Sequence, residues 1–270
     1  MAERAPAYGH HAGSNARRPG TARRPSRSRR EHVISGLVGI ALWELLARAF
    51  AFPFLPPFSV ALGASWDLIR SGELAAPLAA SLESLARGFG LAAGLGVLVG
   101  VLMGRCAAAR YLLDVYVNAL LASPSLIFAP VLFAIFGVSR ASQTALVFLY
   151  SFAVIVANTE TGIRNVDESL VAMGRSFGSK GPRLVWKILL PGSAPMIMAG
   201  LRLGAARAVK GMINGEMFIA YSGLGALLKL YGGRFDADRL WGLLLVVVGS
   251  AILLIGSIQV LERRLLSRYP

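Results

Sequence analysis

Residues 167–191 read Asp167-Glu-Ser-Leu-Val-Ala-Met-Gly-Arg-Ser-Phe-Gly-Ser-Lys-Gly-Pro-Arg-Leu-Val-Trp-Lys-Ile-Leu-Leu-Pro191. The stretch is polar, basic and rich in helix formers, yet it lies between two long apolar segments. A loop of that chemistry, kept between membrane spans, is a handle for something outside the bilayer. Gly178 permits a sharp bend, and Pro182 after Gly181 can open a second helix. Asp167 and Glu168 put negative charge at the start of the first helix, where the helix dipole favours it.

The rest of the chain reads as a membrane protein. It is 55% hydrophobic and 16% charged, with mean hydropathy +0.60, whereas soluble domains carry roughly 25% charged residues. Charge is absent from Gly88 to Gly104, Val115 to Ser139, Ala141 to Thr159 and Leu240 to Leu261. Each run is at or near the ~17–25 residues that cross a hydrocarbon core as a helix. None alternates polar and apolar residues as barrel strands must. The expected fold is therefore all-α, a polytopic membrane helical bundle of about six transmembrane helices, with spans near 33–52, 79–104, 111–137, 141–161, 193–221 and 240–261. Between the first two, Pro56-Pro57 stops a helix and a short amphipathic stretch follows at the interface.

Residues 1–32 differ in kind. They hold eight arginines among Pro, Gly and Ser with few apolar residues, a composition that predicts a disordered basic tail, with 33–265 as the transmembrane domain. No cleavable leader is expected, because the basic region is long and no small-residue cleavage site closes the apolar segment before Pro53. Basic residues also set an orientation. With the N-terminus inside, eighteen Lys and Arg fall in cytoplasmic segments and five outside (Arg70, Arg140, Lys229, Arg234, Arg239). The positive-inside rule then places both termini and residues 162–192 in the cytoplasm.

The single Cys106 excludes an intramolecular disulfide framework, and His10, His11 and His32 all lie in or beside the tail. Metal-dependent hydrolysis and Ser-His catalysis lack their participants, so no metal, cofactor or catalytic residue is expected. No Gly-x-x-x-x-Gly-Lys-Ser/Thr loop is present, which leaves nucleotide to another subunit.

Gly178 and Pro191 are separated by twelve residues, with Ile188 and Leu190 before the proline. This spacing resembles the coupling loop of ABC importer permeases, whose pattern is Glu-Ala-Ala, three residues, Gly, then Ile-x-Leu-Pro. Further along the chain, Leu55-Pro-Pro-x-Ser-Val, Ser81-Leu-Glu-Ser-Leu-Ala-Arg87-Gly-Phe-Gly and Ala122-Ser-Pro-Ser-Leu-Ile-Phe-Ala-Pro130 resemble segments of the nitrate, sulfonate and taurine branch of these permeases. Ala157-Asn-Thr with Gly162, Gly200-Leu-Arg202, Glu216 and Gly223-Leu-Gly225 are similar to its later segments. The resemblance implies a type I importer permease in the bacterial inner membrane. It implies an ABC ATPase subunit, an extracytoplasmic solute-binding protein and a second permease copy as partners. One departure stands out: the family's Glu-Ala-Ala falls on Ala172-Met173-Gly174, so its acidic residue is missing. The expected coupling residues are Ala172, Met173, Gly174, Gly178, Ile188, Leu190 and Pro191.

The segment 193–221 carries Arg202, Arg207, Lys210, Asn214 and Glu216. Ionisable groups at membrane depth normally face a bundle interior or a watery cavity. At about 100° per residue, positions 207, 210 and 214 share a narrow face and 216 points away. Arg207, Lys210 and Asn214 are therefore expected to form an inward cationic stripe along a translocation path for an anion; pairing with neighbouring helices or snorkelling is the alternative. An ion-coupled secondary carrier is the second functional reading. A nucleic-acid-binding role would fit net charge +14 but conflicts with the apolar spans.

Overall fold

The computed structural model describes residues 29–50, 52–219 and 222–266. Of the basic tail expected over 1–32, residues 1–28 lie outside the described residues and 29–32 are helical. Chain contacts divide the protein into a unit of residues 1–42 and a unit of residues 43–270. The described part of the first belongs to α1 (Arg29–Phe50). The remaining helices are α2 (Phe58–Arg70), α3 (Ala75–Arg105), α4 (Ala107–Ala122), α5 (Ala129–Phe136), α6 (Arg140–Arg164), α7 (Glu168–Ser176), the single turn α8 (Pro182–Leu184), α9 (Leu190–Ile219), α10 (Leu224–Gly233) and α11 (Ala237–Leu266). No strand occurs among the described residues.

Four stretches among the described residues are long and apolar enough to cross a membrane: Ala75–Arg105, Arg140–Arg164, Pro182–Phe218 and Ala237–Ser257. The pair α4 and α5 makes a fifth if it is counted as one broken span. Here the structure departs from the expected continuous helix over 111–137. The chain bends by 103° between the two pieces, through a 3-10 turn at Ser125–Phe128. Pro124 drives its predecessor Ser123 to extended geometry (ψ 137), and Pro130 in the first turn restarts the helix as α5. The apolar run had hidden a break that hydropathy does not register.

Helix α6 is the centre of the larger unit. Leu146, Val147, Ile155 and Val156 on it are fully buried, and α3 and α9 flank it. The approach is close because α3 presents a small residue every fourth position: Gly88, Ala92, Gly96, Gly100 and Gly104. Such stripes let membrane helices gain van der Waals contact where the hydrophobic effect supplies no attraction between them. A Cβ on Gly100 would stand 2.5 Å from Thr159 Cβ and 2.8 Å from the Val156 carbonyl oxygen. On the other flank Gly200 meets Asn158 and Gly204 meets Ile155. Hydroxyls on these faces turn back onto their own helices, Ser151 Oγ donating to Val147 O at 2.6 Å and Ser193 Oγ to Leu189 O at 2.6 Å. These two hydroxyls are thereby paired within their own helices, whereas Thr159 Oγ1, buried against Gly100, has no hydrogen-bond partner among the described residues.

The connector after α1 is pinned at its prolines. Trp43 Nε1 donates to Pro56 O at 3.0 Å and Trp241 Nε1 to Phe54 O at 2.7 Å, with the two indoles 5.0 Å apart. α2 occupies the expected amphipathic stretch and packs on α11, where Ser65 Oγ donates to Gly242 O at 2.9 Å. On α10, Tyr231 Oη donates to the Glu73 carboxylate at 2.6 Å. Burial, reinforced by that bond, pushes the phenol up to about 12.

A candidate coupling loop and an exposed cationic face

The loop is built by local chemistry at each turn. Asp167 N-caps α7 by accepting from Ser169 N at 2.8 Å, a bond that also holds its carboxyl below the ordinary value. Glu168 follows in the first turn and Arg175 lies in the last, both agreeing with the helix dipole. α7 ends in a Schellman motif: Gly178 N donates to Arg175 O and Ser179 N to Gly174 O, each at 2.9 Å. Gly178 adopts φ +77 and Gly181 φ +57. These left-handed positions turn the chain, and Pro182 then opens α8 at its first position. A wide π turn at Val185–Leu189 leads into α9, ending just before Pro191, which cannot donate to a regular helical ladder.

This path brings two of the motif residues together. Gly174 is buried, and a Cβ added to it would run into Ile188 Cδ1 and press on Leu184. Ile188, Leu190 and Val171 pack around buried Ile163, Val166, Val185 and Leu189, so α7 is seated on the root of α9. Ala172, Met173 and Gly178 stand on the outer surface of the loop, and Leu190 and Pro191 are half-buried.

A feature that the motif reading missed lies beside them. Leu170 and Met173 on α7 and its C-cap Phe177 recur at i, i+3 and i+7 and are all exposed, Phe177 by 84%. The exposed side of this apolar stripe is left uncovered among the described residues. Its spacing was legible as a helical face, but only the fold shows that the face is unpartnered.

On α9, Arg207 and Lys210 are exposed and Asn214 is half-buried, its Nδ2 donating to Tyr150 Oη at 3.0 Å. Neither cationic side chain has a hydrogen-bond or ion-pair partner among the described residues. The expected stripe therefore exists as one face, but it does not point into this chain's own bundle. Within the single chain, the side of α9 that packs on α6 and α3 is instead taken by Gly204, Ala205, Ala208, Gly211 and Met212.

Glu216 occupies the opposite side and is 1% exposed. Its Oε2 accepts from Gly225 N at 2.8 Å, so the carboxylate caps the N-terminus of α10 from a neighbouring helix. Leu224 N donates to Ser81 Oγ at 2.9 Å and completes that cap from α3. Gly223 has φ +96, and a side chain there would collide with the Glu216 carboxylate. The Gly-Leu-Gly signal thus marks a turn that receives a buried acid, which spacing alone did not reveal. Among the described residues, no cluster of three or more His, Cys, Asp or Glu could hold a metal ion.

The description "binding-protein-dependent transport system inner membrane component" matches residues 93–267. An ABC transporter permease protein of Brucella melitensis is 29% identical over 234 residues, which span 87% of this chain and 95% of the relative. An Escherichia coli protein named as an aliphatic sulfonates transport permease is 32% identical over 233 residues, 85% of this chain and 86% of its own. The Escherichia coli taurine transport system permease protein is 28% identical over 188 residues, covering 70% and 68%. With its helical spans and its Gly178 to Pro191 loop, the chain belongs to the family of ABC importer permeases, the inner-membrane components of binding-protein-dependent transport systems.

Proposed function

We propose that two copies of this chain form the membrane path of an ATP-driven importer for a small anionic solute of the sulfonate or taurine kind. An extracytoplasmic binding protein delivers the solute, and a separate ATPase subunit supplies the energy. The observation that carries the reading is the exposure of Arg207 and Lys210 within a span. Leaving such a cation in hydrocarbon costs from roughly 2.5 kcal/mol upward at a helix centre. A second copy placed against this face converts the cost into a polar channel wall attractive to an anion. Chain names among the relatives, which include aliphatic sulfonates and taurine, point to the same solute class.

The connection between loop and path suggests how force travels. The exposed Leu170, Met173 and Phe177 offer an ATPase an apolar surface, and α7 is seated through Gly174 and Ile188 on the root of α9. The helix that starts there carries Arg207, Lys210 and Asn214. ATP-driven approach of the ATPases moves α7, and α9 moves with it as a packed element. The bundle behaves as a two-state device biased by a partner's ligand. Purified permease, ATPase and binding protein in proteoliposomes test the reading by ATP-dependent accumulation of a labelled sulfonate. No accumulation of any anionic solute would overturn it.

Orientation is tested separately. Both termini and residues 162–192 are assigned to the cytoplasm, with 53–75 and 222–239 outside. In a Cys106→Ser background, Lys180→Cys is expected to resist membrane-impermeant maleimide in intact cells and to react after permeabilisation. Labelling in intact cells inverts the topology.

The bend at Gly178 has its own test. A Cβ there meets nothing within 4 Å, so Gly178→Val introduces backbone strain alone. Holding a β-branched residue in the left-handed region costs about 1–2 kcal/mol. Recovery of the ATPase in pull-downs from solubilised membranes is expected to fall on the order of tenfold, with membrane insertion unchanged. Undiminished recovery removes the loop from docking.

A further inference from the structure

We infer that the end of the subunit bearing the coupling loop holds one anionic phospholipid, in a site made of a basic pocket and the apolar groove beside it. Arg105 ends α3, Arg175 lies in the last turn of α7, and Lys180 sits in the bend between Gly178 and Gly181. The three line one cavity of about 490 Å³ together with Ser179, and no Asp or Glu lines it. None of the three cationic side chains has a hydrogen-bond or ion-pair partner among the described residues.

Next to this pocket lies a groove of about 420 Å³ bounded by Leu98, Leu102, Trp186 and Leu190, and Arg105 lines both. Leu98 is 64% and Trp186 73% exposed, so no described residue covers this part of the groove, and an apolar ligand can enter it from the side. Trp186 lies in the first turns of the apolar stretch Pro182–Phe218, and tryptophan is enriched at the ends of membrane spans, at the level of the headgroups. A soluble anion accounts for the cations and leaves the groove empty. An acidic segment of a partner protein leaves Leu98 and Trp186 uncovered in the same way. A phosphate diester carrying an acyl chain fills both parts, and basic pockets between helices on the cytoplasmic side are the type that recognises such headgroups. Bound there, the phosphate would bridge α3 to the loop through Arg105, Arg175 and Lys180, tying the loop's position to the bilayer. This goes beyond the transport reading and holds whichever solute is carried.

The test is native mass spectrometry of the full-length chain released from detergent after exposure to equal amounts of phosphatidylglycerol and phosphatidylcholine with the same acyl chains. The wild-type chain is expected to retain phosphatidylglycerol preferentially. Arg105→Gln and Lys180→Gln are each expected to reduce that preference on the order of fivefold, the scale of one basic residue at an anionic surface. Arg234→Gln, a basic residue in the connector between α10 and α11, is expected to leave it unchanged. Gly94 lines the groove and has open space around a Cβ, so Gly94→Phe fills the groove and is expected to lower retention of phosphatidylglycerol with all three cations intact. Equal retention of the two lipids by the wild-type chain, or a preference indifferent to Arg105→Gln and Lys180→Gln, overturns the proposal. Displacement by millimolar inorganic phosphate combined with a harmless Gly94→Phe reassigns the pocket to a soluble anion. Complete loss of the lipid on adding the ATPase subunit reassigns it to protein docking.

Discussion

Lys210→Ala combined with Arg207→Ala is expected to lower ATP-driven uptake of an anionic solute at least tenfold, while the complex assembles and the binding protein captures solute as before. Two cations on one exposed face of α9, with no hydrogen-bond or ion-pair partner among the described residues, are the ground for this size. A cation about 4 Å from a monoanion, in surroundings of effective dielectric about 20, is attracted by about 4 kcal/mol before desolvation is counted. A tenfold loss corresponds to only about 1.4 kcal/mol, so even heavy compensation by desolvation leaves a measurable effect. Initial rates in proteoliposomes give the answer. Native rates in both single variants and in the double variant would remove the cationic path. Failure of the complex to assemble would instead make Arg207 and Lys210 packing partners between copies, consistent with their exposure in the single chain. The Asn214 to Tyr150 bond allows a finer comparison, because Asn214→Ala removes a polar group from the same face without removing charge.

The second large effect belongs to the helix seam. Gly100→Ile is expected to abolish recovery of folded subunit, and Gly90→Ile on the same helix is expected to be tolerated. At position 100 a Cβ meets the Thr159 side chain and the Val156 backbone at 2.5 and 2.8 Å, whereas Gly90 has nothing within 4 Å. Overpacked cores typically lose about 1–3 kcal/mol. Here backbone is part of the obstruction, so α3 and α6 must separate and forfeit contacts along Gly88, Gly96 and Gly104 as well. Size-exclusion profiles and thermal unfolding in detergent read the difference. Equal recovery of both variants would mean that the seam is not what holds α6 between its neighbours.

These two positions also mark where sequence reading stops. Along the chain, charge-free runs located the helical segments, and Pro182, Gly178 and Gly181 located the turns of the loop, because backbone chemistry acts within a few residues. Ser123-Pro124 was visible too, yet the run from 111 to 137 read as continuous. A proline inside an apolar stretch does not say whether neighbouring groups repair the broken ladder or the chain turns by 103°.

The candidate sites divide in the same way. Spacing put Arg207, Lys210 and Asn214 on one face of α9 and Glu216 on another, as the helix then placed them. It could not say which face turned inward. In water an apolar stripe identifies the core, but in a bilayer both the lipid-facing and the core-facing sides are apolar, so the sign of the pattern is lost. The small residues of α3 and α9 made that choice by closing on α6, which left the cations outside and sent Glu216 to cap α10. Likewise, the order and spacing of Gly178, Ile188, Leu190 and Pro191 identified the family, since those positions are fixed by turns in a single segment. That Gly174 lies beneath Ile188, and that Leu170, Met173 and Phe177 are left uncovered, followed only from the folding of α7 back onto the root of α9. Sequence by itself determined the helical character, the turns of the loop and the family; tertiary packing decided which faces meet, because close approach between helices depends on pairs of residues far apart in the chain.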